Sequence, residues 1–598
     1  MENNDNKNLT QKTISGIIWK LAERIGAQLV TLLVTIILAR ILLPEDYGIV
    51  SIVTIVITIL NVFVTNGLGS SLIQKVTSDQ LDFSTVFYAG IVLSMILYGI
   101  LFVISKPIAD FYGNEQITWV LRIMGLRLPL AAVNSVQQAY VSKKMIFRKF
   151  FFATLIGTVI SGVVGIVMAY KGYGVWSLVA QYLTNVTIDT IVLFIIVKWR
   201  PSLRFSFKRL KSLFSYGWKL LVSGLLDTGY NELRSLVIGK KYSSTDLAYY
   251  DKGNQFPSLL ATNVNSSISS VLFSAMSKIQ DNKDKVKEAT RKSIRICSYL
   301  IFPCMVGLAC IAEPFVKVIL TNKWLPIVPY LQIMCFFYAF WPVHTANLSA
   351  LKAIGRSDLY LVLEIAKKLI GIIVLAVTMW FGVFWIAIGM AFTTITFCFI
   401  NAFPNRRLLN YTYKEQILDL LPNMLIGVIM GVCVYLLNYL HMNLYILFIL
   451  QISTGIVIYL FLSIITKNYS YYYLYGYIKK LKKIIYDKKY SKNTYIDKHR
   501  AELINANIDI DKIDKYCIIY DNKNKNKIII GERNDTEFLL RYIHFDAKKH
   551  NREYIDIMFN IIFLQYDINI IKFECDKKST DFLHKYGYND SIIRFKSY

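Results

Sequence analysis

Paired cysteines are missing from this 598-residue chain: its eight cysteines stand singly, six of them (Cys297, Cys304, Cys310, Cys335, Cys398, Cys433) inside apolar runs. None has the close spacing that zinc or redox motifs use, so neither a disulfide framework, a metal site nor a cofactor is expected. Acidic residues are scarce, 40 against 67 Lys and Arg, which leaves a formal charge of +27. Charged residues of both signs make up only 18%, too few for the surface of an ordinary soluble domain of this length. Alternating segments of about ten residues are absent, which excludes a membrane β-barrel. Met1 to Lys12 is polar and leads into a full-length apolar stretch with no small-residue cleavage pattern, so the first span is expected to remain in the mature protein.

What the chain has instead is hydrocarbon. Mean hydropathy is +0.42 and 55% of residues are hydrophobic. The apolar runs sit in segments of about 20 residues, the length at which a helix crosses about 30 Å of bilayer core. Windows of about 19 residues predict about fourteen spans, with approximate limits 14–39, 48–66, 84–105, 116–141, 151–170, 175–198, 212–239, 255–277, 294–313, 327–351, 359–380, 382–403, 417–438 and 443–466. The fold class is an all-α polytopic membrane protein.

Lys and Arg divide unevenly between the connections, with roughly 24 at the N-terminus and in the even-numbered loops against roughly 8 in the others. Most of the excess lies in Lys143–Lys149, Lys198–Lys211 and Lys278–Lys292, which places both termini on the cytoplasmic side of the membrane. About +24 of the charge belongs to residues 1–485, so the basic balance is a topology signal that favours contact with anionic lipid rather than nucleic acid.

An internal repeat of about 200 residues pairs Trp19-Lys20-Leu21 with Trp218-Lys219-Leu220. It also pairs Pro107-Ile108-Ala109 with Pro314-Phe315-Val316, and Gly174-Val175-Trp176 with Gly382-Val383-Phe384. Domains are therefore expected at 1–211 (spans 1–6), 212–410 (spans 7–12), 411–470 (two added spans) and 471–598 (a cytoplasmic extension). Two six-span lobes entering from the same side are parallel repeats, an arrangement suited to rocking about a site between them.

Ionisable side chains inside spans must face the bundle interior or a wet cavity. Lys20, Arg24, Gln28, Thr31 and Thr35 form one polar stripe in span 1, with Glu23 beside it; span 4 repeats the theme with Arg127, Asn134 and Gln138 on one face and Arg122 near its outer end. Span 7 carries Asp227, Asn231 and Arg234 at i, i+4 and i+7, while Asp189, His344 and Glu364 with Lys367 and Lys368 complete the set. Two readings stay open. In one, Glu23 neutralises Lys20 or Arg24, Asp227 or Glu232 pairs with Arg234, and lysines near span ends snorkel. In the other, the cationic excess of the first lobe seats an anionic head group such as a phosphate or pyrophosphate. Lone His344 reads as a hydrogen-bonded interior residue. Asp189, Asp227 and Glu364 are candidates for coupling to a proton or sodium ion.

The segment Ala39-Arg40-Ile41-Leu42-Leu43-Pro44-Glu45-Asp46-Tyr47-Gly48, then Gly67-Leu68-Gly69, Gly172-Tyr173-Gly174-Val175-Trp176-Ser177-Leu178, Lys323-Trp324-Leu325-Pro326 and Ala353-Ile354-Gly355-Arg356, resembles bacterial polysaccharide transporters. More narrowly, it resembles the Wzx-type O-antigen and capsule flippases, within the superfamily that also holds multidrug exporters and the lipid II flippase. The resemblance covers residues 10–470. It implies fourteen helices and movement of an undecaprenyl-pyrophosphate-linked oligosaccharide across the cytoplasmic membrane, with polysaccharide assembly proteins as partners. It also implies that basic cavity residues engage the pyrophosphate; by position these are Arg24, Arg122 and Arg127, then Lys20 and Arg234. Residues 40–48 read as turn chemistry rather than substrate contact. A multidrug exporter of the same superfamily is the alternative; a membrane glycosyltransferase or polymerase, lacking a sizeable catalytic loop, is the weaker rival, and the chain is not expected to be an enzyme.

Beyond residue 487 the composition becomes soluble. Tyr516–Tyr520 and Lys527–Gly531 read as strands, Asp535–Lys549 as a helix and Ile568–Cys575 as a strand. Ile571 to Cys575 followed by Phe582 to Tyr588 resembles the closing part of GNAT-type acetyltransferases, without a glycine-rich loop for a pyrophosphate. A degenerate, non-catalytic relative that docks a cytoplasmic partner and a small domain of unrelated fold both remain open.

Overall fold

The computed structural model describes residues 26–477 except 76, 77, 145 and 278, together with residue 479 and five strands of the tail. The chain divides into two compact units, Met1–Tyr471 and Tyr472–Tyr598.

In the first unit nearly everything is helix. The first half holds α1 (Gly26–Ile41), α2 (Pro44–Thr65), the short α3 (Leu68–Gln74), α4 (Gln80–Tyr112), α5 (Gln116–Met124), α6 (Arg127–Lys144), α7 (Phe147–Tyr170) and α8 (Val175–Ile196). The second half runs through α9 (Phe207–Lys241), α10 (Ser244–Ser277), α11 (Lys283–Cys310), α12 (Ala312–Ile319), a 3-10 turn (Asn322–Ile327), α13 (Val328–Ala339), α14 (Trp341–Ala353), α15 (Ser357–Thr378), α16 (Val383–Leu408), α17 (Tyr413–Leu436) and α18 (Leu444–Ile465). Ten helices among the described residues are long and apolar enough to cross a membrane. Helices α9, α10 and α15 occupy the places of predicted spans 7, 8 and 11 and are more polar; Asp227, Asp251, Lys252, Glu364, Lys367 and Lys368 lie in them. Outward surfaces carry Val103, Ile195, Ile373 and Ile449, each at least half exposed, as a lipid-facing wall requires.

The 200-residue repeat is visible in how the helices begin and end. Helices α1 and α9 stop at residues 41 and 241, and α2 and α10 start at 44 and 244. Both starts are held by an acid: Asp46 accepts from the Leu43 backbone N–H at 3.0 Å, and Asp246 accepts from the Ser243 hydroxyl at 2.7 Å. Helices α8 and α16 both follow a left-handed glycine, Gly174 (φ +52°) and Gly382 (φ +117°). Predicted spans 4 and 10 are each broken, α5 from α6 and α13 from α14, where Pro129 and Pro342 lack the N–H that a continuous helix needs.

Because helices alternate in direction, their connections fall on two faces. The first face carries the α1/α2 and α9/α10 turns and residues 311–328; the second carries 65–80, 197–206, 277–283 and 353–357. At the first face the halves share one hydrophobic core, in which Leu38, Ile49 and Val53 meet Ala248, Trp324, Ile327 and Leu331. Toward the second face the cores separate: Phe83, Val136, Leu193 and Trp199 form one, while Val286, Ile294, Val343 and Tyr411 form another.

The first-face junction is polar as well as apolar. The fully buried Trp324 donates its indole N–H to the Ala39 carbonyl at 2.7 Å. Lys323 Nζ donates to the carbonyls of Arg40 (2.7 Å) and Leu42 (2.6 Å), and Arg40 reaches back to the carbonyls of Ile319 (2.8 Å) and Val318. These are carbonyls at helix ends, which have no partner inside their own helix. Tyr47 packs edge-on against Trp324 at 5.4 Å, and Gly48 lies so close to the Ser244 backbone that no Cβ would fit. Residues 39–48 thus do more than make a turn: they bind the second half.

Helix α17 is pinned to α11 by Glu415, which pairs with Lys287 at 2.9 Å, and by a buried carboxylate. Asp419, 1% exposed, accepts from Arg291 Nε (2.7 Å), Arg295 Nε (2.9 Å) and the Tyr411 hydroxyl (2.8 Å).

In the tail unit, β1 (Tyr516–Tyr520), β2 (Ile528–Arg533), β3 (Glu537–His544), β4 (Ile570–Phe573) and β5 (Ile592–Arg594) form a single sheet in chain order. It is antiparallel except that β3 and β4 run parallel. The helix expected over Asp535–Lys549 is corrected: residues 537–544 are β3, antiparallel to β2 with an irregularity beside Gly531. A short apolar run has no decisive period of its own, and the Asn534-Asp535 turn signal returns it along β2 as a hairpin partner.

Replacing Asp419 with Asn should cost about 3 kcal/mol, since it leaves two guanidinium groups facing an uncharged partner. Thermal unfolding of the detergent-solubilised protein checks this; a midpoint equal to the wild type would contradict it.

Candidate functional site

Polar side chains on otherwise apolar helices converge in the first half. On α2, Thr54, Thr58, Asn61 and Thr65 recur at three- and four-residue intervals; on α6, Arg127, Asn134, Gln138 and Ser142 do so; on α8, Tyr182, Asn185 and Asp189 complete the set. Such stripes are too costly to face lipid. They line one cavity of about 560 Å³ that extends from the middle of the helices toward the second face.

Its geometry is set by a relay of amides. Gln138 Nε2 donates to Asn134 Oδ1 at 3.1 Å, and Asn134 Nδ2 donates to Asp189 Oδ2 at 2.6 Å. Arg127 lies over the Tyr182 ring, 5.3 Å from its centroid. Of the charged residues proposed from sequence, Arg127 and Asp189 are therefore brought together in one cavity.

The others are placed elsewhere. Arg122 lies on α5, donates Nε to Ser105 Oγ at 2.9 Å and rests 4.2 Å from the Phe102 ring centroid, so it holds α5 against α4 and does not line this cavity. Lys20, Glu23 and Arg24 lie outside the described residues. A second cavity, of about 940 Å³, lies between α9, α15 and the α2/α3 connection at Asn66 and Gly67, and shares Ser70 with the first. Asp227 and Glu364 line it. Asp227 pairs with Lys368 at 3.0 Å and Glu364 with Lys367 at 2.6 Å. The expected partner of Asp227, Arg234, instead lies over the Tyr230 ring at 5.5 Å; a pairing across helices is not legible in the spacing along one of them. His344 is an interior hydrogen-bonded residue, with Asn401 Nδ2 3.1 Å from Nδ1 and Thr394 Oγ1 3.3 Å from Nε2.

Sequence reasoning missed Thr54, Asn61, Tyr182 and Asn185. Their signal was present as small polar residues at helical spacing in spans 2 and 6, overshadowed by the search for charge. It also missed Lys252, buried on α10, 3.0 Å from Gln255 Oε1 and 4.2 Å from the Tyr47 ring centroid.

The fold is that of a polytopic membrane protein. It is similar to the lipid II flippase MurJ in an inward closed conformation, with TM-score 0.61 and 16% identity over 75% of this chain and 98% of that one. It is also similar to an inward-facing multidrug resistance MATE family transporter of the MOP superfamily, with TM-score 0.51 and 16% identity over 66% and 94% of the two chains. Residues 37–329 match the model of a family described as polysaccharide biosynthesis protein. Among its relatives are the succinoglycan biosynthesis transport protein ExoT of Rhizobium meliloti, 25% identical over 58% of this chain and 70% of that one. Another is the lipopolysaccharide biosynthesis protein WzxC of Escherichia coli, 23% identical over 71% and 88%. The chain is thus a multi-pass membrane protein similar to polysaccharide-biosynthesis transport proteins.

Arg127→Gln should lower transport at least tenfold at unchanged protein level, whereas Arg122→Gln should lower it less than twofold. Restoration of surface glycan in a host lacking its own transporter of this class is the measurement; equal losses would contradict the placement.

Proposed function

We propose that this protein carries a lipid-linked oligosaccharide from the cytoplasmic to the outer leaflet of the cytoplasmic membrane by alternating access. The second face is then cytoplasmic, in keeping with the Lys and Arg bias of its loops. The observation that carries the reading is the single core at one face and two cores at the other. Two repeats joined at one end and divided at the other, with polar cavities reaching toward the divided end, have the form of one state of a rocking pair.

The junction between residues 39–48 and 318–324 is, on this reading, the outer gate. Its bonds go largely to backbone carbonyls, so opening it exposes groups that water on the outer side can satisfy. Inside, Arg127 is the described basic residue available to a phosphate, with Arg24 and Lys20 proposed beside it from sequence alone. Asp189, Asp227 and Glu364 are the proposed places for a coupling proton or sodium ion. A cationic drug fits less well, since Arg127 lines the first cavity and repels like charge.

The test joins the gate. In cells whose surface glycan depends on this chain, a membrane-impermeant bis-maleimide should abolish transport by the Leu43→Cys/Lys323→Cys pair and spare either single variant. Full transport with the pair quantitatively joined would refute alternating access through this gate. Reaction only in opened cells would reverse the proposed orientation.

A further inference from the structure

We infer that the first-half cavity reads the uncharged sugars of its cargo through amide and hydroxyl groups. This inference rests on the glycolipid reading above and assigns the site its ligand class.

The lining sets the chemistry. Among the described residues of the lining, Arg127 and Asp189 are the charged ones; the polar remainder is neutral, with the amides Asn61, Asn134, Gln138 and Asn185 among hydroxyls of α2, α3 and α6. A phosphate engages Arg127 and leaves the neutral groups of the lining unused. A polyhydroxyl ligand needs the opposite: many neutral groups that both donate and accept, at fixed spacing. Amides supply both functions, and a carboxylate accepts from hydroxyls only.

Three acceptors in the lining, Thr54 Oγ1, Asn61 Oδ1 and Asp189 Oδ1, have no hydrogen-bond partner among the described residues. Buried acceptors without donors cost free energy, and a ligand rich in O–H groups that reaches them relieves that cost. Tyr182 adds the apolar half of the match. Its side chain lines the cavity at 37% exposure, and the C–H face of a pyranose can rest on such a ring while its hydroxyls reach the amides. The relay from Gln138 through Asn134 to Asp189 fixes the orientation of the first two amides, so the site can discriminate between hydroxyl configurations.

The experiment uses the full-length chain in a set of hosts, each lacking its own transporter and differing in the uncharged sugars of its lipid-linked glycan. Surface glycan is measured for wild type, Gln138→Leu, Asn185→Leu and Tyr182→Leu at matched protein level. The expected result is that at least two of the three variants change the relative transport of different glycans by tenfold or more. A uniform loss across all glycans, or no change, overturns the inference and leaves the glycolipid reading standing, since wild-type transport is recorded in the same hosts. Absence of wild-type transport in every host overturns the glycolipid reading and this inference with it.

Discussion

The indole N–H of Trp324 on the carbonyl of Ala39 is the bond around which the two halves are organised. It is fully buried, it joins residues 285 positions apart, and it sits where the halves share a core. Lys323 and Arg40 extend the same contact by donating to helix-end carbonyls of the opposite half. With the first face closed by these bonds, the remaining length of the helices is free to diverge, and the cavities lie in that divergence. The position of every other feature follows from which end is tied.

A second constraint comes from lipid. Polar residues on α2, α6 and α8 cannot turn outward, so the same substitutions that weaken these helices as lipid-facing spans create the cavity wall. In α9 and α15 the constraint is met differently, by the ion pairs Asp227–Lys368 and Glu364–Lys367, which hold charge near the second cavity. A pair of this kind is partly exposed and contributes little to stability; its consequence is to fix which groups the cavity presents.

Much of the fold was legible in the sequence because hydrophobic length is a local property. The helical breaks at Pro129 and Pro342 and the matched starts of α2 and α10 gave structural form to a repeat first seen in three short echoes. The site was legible only in part. Arg127, Asn134 and Gln138 share a cavity as their spacing on one helix implied, whereas Asp189 joins them through the packing of α8 on α6, which the sequence did not show. Arg122 does not, because its guanidinium is taken by Ser105 and Phe102 of a neighbouring helix, a contact that no pattern within span 4 encodes. The buried Asp419 cluster was invisible for the same reason. In the tail, β3 was misread as helix because its eight residues are too few for period to decide, and pairing with β2 decided instead.

Pulsed electron-electron resonance between paired spin labels tests the central claim most directly. One pair, at Leu43 and Glu313, reports the first face; another, at Leu203 and Ser357, reports the second. On addition of lipid-linked glycan to the protein in nanodiscs, the account predicts that the first distance lengthens as the second shortens. Two distances that stay fixed, or that move in the same direction, would contradict it.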